Sequence, residues 1–457
     1  MITDDRYLVV RAASLYIAVM LTVVLWAWRR PTARARAGAA LALFWNLPLV
    51  LALHLAAVHF GWWRFDARGG LLLGMPVEMY LSWAWLWSVV PFFAFPSLSL
   101  GFVLVLALAF DIVLMPAAAP VILLGPAWLF GEVAGLLTGL APSQLLARWT
   151  ARDEHLAGRA MLQVLAFTGL LVFVLPAIAI DGTGGAWTNP MTRPAWQISL
   201  AAQALAIPGL LGLTAVQEFV MRGGGTPVPF DPPRRLVTTG IYAFVGNPMQ
   251  LSAVVLLLLL GVVLGNPWVS AAGVMAHLYS AGLAGWDEDE DLRRRFGDDW
   301  ITYRGGVRRW VPRFRPWHRP DHPPARLFVA ADSCDLCRDV RRWFERRRAR
   351  QLAIEPAESH PSGALTRITY ESGDGTLAAT GIEAVARALE HIHLGWALLG
   401  FLLRLPIIGR LAQLLADASG AEPRTISTMR RMAPFIGTDA CGRAQDHHEK
   451  TAFHHHP

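Results

Sequence analysis

Charge is what this sequence has least of. Only 16% of its 457 residues are charged, against 54% that are hydrophobic. A soluble globular chain carries about a quarter charged residues, so much of this one must be solvated by lipid. Cysteine is scarcer still, with three residues, Cys334, Cys337 and Cys441, which excludes a disulfide scaffold. One Cys-x-x-Cys without a second cannot supply the four ligands of a structural zinc site. His360, His391 and His393 could supply ligands in principle, but surface or core histidines are the commoner reading, and no metal is expected. No glycine-rich dinucleotide fingerprint follows a strand. The basic residues behind the net charge of +7 are not interleaved with a nucleic-acid-binding module, so no nucleic-acid partner is expected. The first apolar run follows Asp4 and Asp5 rather than a basic leader and reads as a retained helix, not a cleavable signal.

Apolar length is what the sequence has in quantity. Runs of about 20 apolar residues, enough for a helix to cross a bilayer, recur near residues 8–28, 39–61, 78–96, 98–116, 121–142, 159–180, 196–220, 249–265 and 267–285. They predict a multi-domain chain: a polytopic α-helical membrane protein with about nine transmembrane helices, followed by a small α/β thioredoxin-like domain. Arginine placement orients it. Arg29, Arg30, Arg34 and Arg36, then Arg148, Arg152 and Arg159, then Arg222, Arg234 and Arg235 occupy alternate loops. Basic loops stay cytoplasmic, which predicts the N-terminus outside and the C-terminal half in the cytoplasm, in a bacterial inner membrane. The same charge makes membrane lipids expected partners. Residues 1–157 form a five-helix region without a motif, but with ionisable side chains inside apolar runs: His54, Glu78, Asp111 and Glu132. Such residues mark functional sites unless they are interfacial or paired, with Asn46 for example.

From Gly223 the chain reads Gly-Gly-Gly-Thr-Pro-Val-Pro-Phe-Asp-Pro-Pro-Arg-Arg, too rich in Gly and Pro for a helix. Gly240-Ile241-Tyr242 and Gly246-Asn247-Pro248 follow, then an apolar hairpin turning at Gly265-Asn266-Pro267. After the hairpin come Glu288-Asp289, Phe296-Gly297, Trp300, Tyr303 and Pro312. In this order the elements resemble the isoprenylcysteine carboxyl methyltransferase family over residues 196–316, within a domain spanning 158–318. The resemblance implies S-adenosylmethionine at the cytoplasmic membrane face and a lipophilic acceptor entering from the bilayer. It implies that Tyr242, Asn247 and Pro248 shape the cofactor pocket, with Glu288 and Asp289 as its acidic pair. Two positions depart from the family pattern. Gly246 stands where the family has Arg, and Gln250 where it has Tyr, so that Arg234, Arg235 or Arg308 would have to supply the missing cation. Without the upstream motif, the acidic cluster would read as a solvated helix start.

A Pro-rich linker, residues 319–324, leads to a strand at Arg326–Ala330, Cys334-Asp335-Leu336-Cys337 and a basic helix. Further strands at 352–355, 365–371 and 376–380 and a helix at 381–391 complete an α/β pattern. A Cys-x-x-Cys between strand and helix lowers the pKa of the leading thiol, making Cys334 the nucleophile and Cys337 the resolving thiol. With the Gly373-Asp374-Gly375 turn and Leu402-Leu403-Arg404-Leu405-Pro406, the segment 325–418 resembles the thiol-disulfide oxidoreductase family named for its Asp-Cys-Cys signature. The domain extends over 325–420, and residues 421–457 read as a disordered tail. A passive, reduced dithiol is the alternative. Residues 394–415, interrupted by Arg404, Pro406 and Arg410, read as a buried or membrane-resting helix rather than a tenth span.

The expected function is an S-adenosylmethionine-dependent membrane methyltransferase acting on a lipophilic or membrane-delivered acceptor, fused to a cytoplasmic thiol-disulfide oxidoreductase domain with a thiol partner. The rivals are an NADPH-dependent membrane reductase of the same superfamily and a non-catalytic redox sensor or scaffold.

Overall fold

Long apolar stretches ended by Gly, Pro or Arg dictate the elements of the first two thirds. The computed structural model describes residues 2–119, 121–183, 186–187, 189–228, 231–330, 335–362 and 365–423. Helices α1 (Ile2–Arg29) and α2 (Ala33–Phe60) meet at Thr32, whose side chain caps Ala35 N. Next come β1 (Trp63–Phe65), the short β2 (Leu71–Leu72) and β3 (Met75–Pro76), α3 (Val77–Leu86), α4 (Val89–Ala94), α5 (Leu100–Ala117) and β4 (Ile122–Leu124). Then α6 (Trp128–Arg152), α7 (Leu156–Thr183) and α8 (Ala195–Gly223) run as long helices. Helices α9 (Pro248–Leu264) and α10 (Pro267–Ala281) form a hairpin whose turn is closed by the Asn266 side chain accepting from Trp268 N at 3.0 Å. Helix α11 (Leu283–Gly306) follows, with a break at Gly297.

Six helices among the described residues are long and apolar enough to cross a membrane: α1, α2, α5, α6, α7 and α8. The remaining expected spans take other forms. The stretch near 78–96 is two short helices, because Pro91 has no N–H to offer the Trp87 carbonyl four residues earlier. The carbonyls freed at that break accept from α6, Ser143 Oγ to Trp87 O at 2.9 Å and Gln144 Nε2 to Ser88 O at 2.8 Å. Broken backbone at such a depth is tolerated where protein satisfies it. The stretch at 121–142 begins as β4, paired antiparallel with β1, and becomes helical only at Trp128. Helices α9 and α10 hold 17 and 15 residues, at and just below the short end of what a crossing takes.

The basic loops meet at one end of the bundle. Arg34 and Arg159 both bond Asp153, at 2.9 and 2.8 Å, and both reach Asp231, at 3.5 and 3.1 Å. Arg234 joins Asp153 at 2.8 Å. Arg11 pairs with Glu78 at 2.8 Å and caps the carbonyls of Arg68 and Gly69, in a separate cluster.

The last third is a four-stranded sheet in the order β6-β5-β7-β8. Strand β5 (Ala325–Val329) runs parallel to β6 (Leu352–Pro356) and antiparallel to β7 (Thr369–Glu371), which is antiparallel to β8 (Ala378–Thr380). Helix α12 (Asp335–Arg347) joins β5 to β6, and α13 (Ile382–Leu389) follows β8. Leu327, Val329, Phe344, Tyr370, Ala384 and Leu389 fill this core. Helix α14 (Leu394–Leu403) then packs Ala397 and Phe401 against Phe244 and Ala215 of the membrane part, and α15 (Pro406–Ala416) turns away from it by 89°. The linker therefore does not leave the two parts loosely tethered. Glu218, fully buried on α8, bonds Arg387 and Arg404 of the α/β domain at 2.9 and 2.5 Å. Residues 424–457, which include Cys441 and most of the expected disordered tail, lie outside the described residues.

Candidate functional site

The α9–α10 hairpin returns the chain to its start, so that residues separated by about 40 positions face each other. Pro248 begins α9, where its missing N–H is harmless. Asn247, just before it, directs its side-chain amide at Gln250 Oε1 (2.9 Å) and Glu288 Oε2 (3.4 Å). Tyr242 lies in the 3-10 turn Gly240–Ala243, and its carbonyl accepts from the Tyr303 hydroxyl at 2.8 Å. The Tyr242 hydroxyl itself is buried and has no hydrogen-bond partner among the described residues. Burial raises its pKa well above the tyrosine range. The Glu288 carboxyl is also pushed up, chiefly by burial and only partly offset by Arg309. All five residues expected at a cofactor pocket, Tyr242, Asn247, Pro248, Glu288 and Asp289, thus belong to one neighbourhood around the arginine-rich end of the hairpin.

The cations of this neighbourhood differ from those expected. Arg309 pairs with Asp289 and donates to Gly285 O at 3.1 Å, while Arg304 Nε stands 3.8 Å from Asp289. Arg234 is committed to Asp153, and Arg308 is exposed, with its carbonyl taken by Gly246 N at 2.9 Å. Nothing in the spacing marks Arg304 and Arg309: Arg304 lies beyond the Gly297 break in the same helix as Asp289, and Arg309 reaches it because the chain folds back after α11. The same fold explains Gly246. A Cβ there would meet Arg309 Cα at 3.3 Å and Arg308 O at 3.4 Å. Glycine lets the 308–309 backbone approach closely enough for Gly246 N and Asn247 N to donate to it. The position that holds an Arg in the resembled family is thus flanked here by two arginines from another segment.

Of the expected catalytic thiols, Cys334 lies outside the described residues, and Cys337 is half-buried in the first turn of α12, against the α/β core. Two of the ionisable residues of the first helices have partners: Glu78 is ion-paired with Arg11, and His54 Nε2 lies 3.1 Å from Leu73 O. Asp111 and Glu132 are neighbours of one another, and Asp111 Oδ2 has no hydrogen-bond partner among the described residues. Asn46 is fully buried but bonds none of them. No group of His, Cys, Asp and Glu able to hold a metal occurs among the described residues. No known protein family, curated protein or solved structure matches the chain, so its function rests on the chemistry of these residues.

Proposed function

We propose that this polytopic membrane protein is a methyltransferase that binds S-adenosylmethionine at the Asn247–Glu288 site and methylates a lipophilic acceptor delivered from the bilayer. One observation carries the reading: a buried, unpartnered Tyr242 hydroxyl, the Glu288 and Asp289 carboxylates and the Arg304 and Arg309 guanidiniums converge where an apolar hairpin ends. Those groups fit a zwitterionic amino-acid moiety attached to a polar nucleoside. Arg309 and Arg304 would hold its carboxylate, a task for which a guanidinium fork is suited. Glu288 would hold the ammonium or ribose, and its ionised form complements a sulfonium. Asn247, Gln250 and the Tyr242 hydroxyl would satisfy the remaining polar edges. When bound, S-adenosylmethionine supplies an activated methyl, so the chain's own contribution is alignment of the acceptor and exclusion of water.

In this reading the short α9 and α10 and the broken α3–α4 complete about nine spans, and the ion-paired basic end faces the cytoplasm. The α/β domain is proposed as a thioredoxin-like thiol-disulfide oxidoreductase with Cys334 as nucleophile. The strand order and the helix that begins at Asp335, within the Cys-x-x-Cys segment, support this.

Calorimetric titration of the purified full chain with S-adenosylmethionine tests the methyltransferase reading. Saturable binding that disappears in Glu288→Ala supports it. No binding at millimolar cofactor rejects it, and NADPH binding in its place would favour the reductase.

A further inference from the structure

Helix α15 is built inside out for a soluble domain. Its apolar residues Ile407, Leu411, Leu414 and Leu415 recur at helical spacing on one face and are 75%, 57%, 65% and 70% exposed. Gln413 and Asp417 bond in the other direction, into the protein. Gln413 Oε1 accepts from Ile382 N at 2.8 Å, and Asp417, just beyond the helix, receives Arg367 Nη2 at 2.9 Å. A helix docked on a soluble core buries its apolar stripe, whereas α15 docks through its amides and carboxylates and presents leucines outward.

Its surroundings identify what covers that stripe. Helix α14, directly before it, packs on the spanning helix α8, and Gln217 Nε2 of α8 donates to Arg404 O at 3.1 Å. Helix α14 therefore meets the last turns of α8 at Arg404, and the chain then bends by 89° into α15. Met221, in the final turn of α8, is 60% exposed, so the end of the spanning helix that Arg404 meets also presents an apolar side chain outward. At the other end of α14, Phe314 is 66% exposed, stacks on His393 at 4.8 Å and accepts from Leu394 N at 2.8 Å; Val311, nearby in sequence, is 54% exposed. The exposed Arg410 flanks the leucines with a cation, the arrangement by which in-plane helices reach lipid phosphates.

We propose that α15 lies in the plane of the bilayer interface, its Ile407–Leu411–Leu414–Leu415 face sunk among the lipids of the leaflet where α8 ends. The α/β domain is thereby held to the membrane surface by lipid as well as by protein, with α12 fixed relative to the bilayer. The inference depends on α8 being a span but not on the methyltransferase chemistry.

The test uses the full chain in nanodiscs containing anionic lipid, with Cys334, Cys337 and Cys441 each replaced by Ser. Leu414→Cys carries an environment-sensitive nitrobenzoxadiazole label, and Arg342→Cys on α12 serves as the exposed control. Blue-shifted emission from position 414, quenched more by lipid spin-labelled near the headgroup than near the acyl end, is the expected result. Water-like emission equal to the control overturns the proposal. Blue-shifted emission that no lipid quencher reaches means a second copy covers the stripe, and stronger quenching from the acyl end means α15 spans; either also overturns it. Leu411→Asp combined with Leu414→Asp leaves the Gln413 and Asp417 contacts intact and should raise hydrogen exchange across 406–416 in lipid. Unchanged exchange there counts against the proposal.

Discussion

Replacing Glu218 by Gln tests what joins the two halves of the molecule. Its side chain is 0% exposed, those of Arg387 and Arg404 are 3% and 2%, and that of Glu390 is 9%. Arg387 Nη1 reaches both Glu218 oxygens at 3.1 and 2.9 Å, Arg404 Nη2 reaches one at 2.5 Å, and the Thr239 hydroxyl donates to the other. Arg404 also donates to Glu390 at 2.7 Å, so two guanidiniums and two carboxylates balance. Glu218→Gln leaves one positive charge uncompensated in a site closed to water. Breaking one partner of a buried pair costs about 3–5 kcal/mol, or roughly two to three and a half powers of ten in an equilibrium. Arg387 and Arg404 belong to the α/β domain and Glu218 to α8, so the equilibrium displaced is docking of that domain. Amide hydrogen exchange of α13 and α14 in the full chain reads it directly and should accelerate by about 10²–10³-fold. Glu218→Gln with Arg404→Gln restores neutrality and should recover about 1–3 kcal/mol relative to additivity. Unchanged exchange in the single variant, or strict additivity in the pair, would refute the account of the cluster as a charge-balanced joint.

Gly240→Ala should weaken the same joint by more than about 1 kcal/mol, measured by thermal unfolding in detergent, because Gly240 has φ +60° and its Cβ would stand 2.9 Å from the Glu218 carboxyl carbon. Gly246→Arg, which restores the resembled family's residue, should lower stability without tightening S-adenosylmethionine binding, since the backbone of 308–309 fills that space and Arg304 would repel the new cation; tighter binding by calorimetry would contradict this. Because burial raises the Glu288 carboxyl, it is protonated more readily folded than unfolded. Its contribution to stability is therefore greatest at low pH and is lost as pH rises through the folded value. Cofactor binding runs oppositely and should strengthen as pH rises from about 4.5 through that value. His391, buried against Tyr370 and Arg350 O, is held down to about 4, chiefly by burial, and His318 stacked on it to about 3. Unfolding exposes these rings to protonation, so stability of the α/β domain should be intact above about 6.5 and fall by up to about 3 kcal/mol per ring as pH drops toward 4. A flat thermal-shift profile between pH 7 and 4.5 would show that the rings are not buried in solution.

The sequence by itself determined the elements whose cause is local. Apolar runs set the long helices, Gly265-Asn266-Pro267 set the hairpin, and the strand runs on either side of Cys334 and Cys337, with their Gly-Asp-Gly turn, set the sheet. The proximity of Tyr242, Asn247 and Pro248 to Glu288 and Asp289 was legible because the hairpin between them must bring its ends together. Hydropathy could not foresee the break at Trp87, since Pro91 matters there only through carbonyls that α6 happens to satisfy. Nor could it distinguish the strand at Ile122–Leu124 from the start of a helix, because β1 supplies its partner from 57 to 61 residues away. Tertiary structure alone decided which arginines serve the acidic pair. Arg234 and Arg308 are as cationic as Arg304 and Arg309, but a charge interacts over a few ångströms and sequence distance does not fix spatial distance. It also decided that the α/β domain is docked: Glu218, Arg387 and Arg404 are ordinary charged residues in the sequence, and only their shared burial makes them a joint.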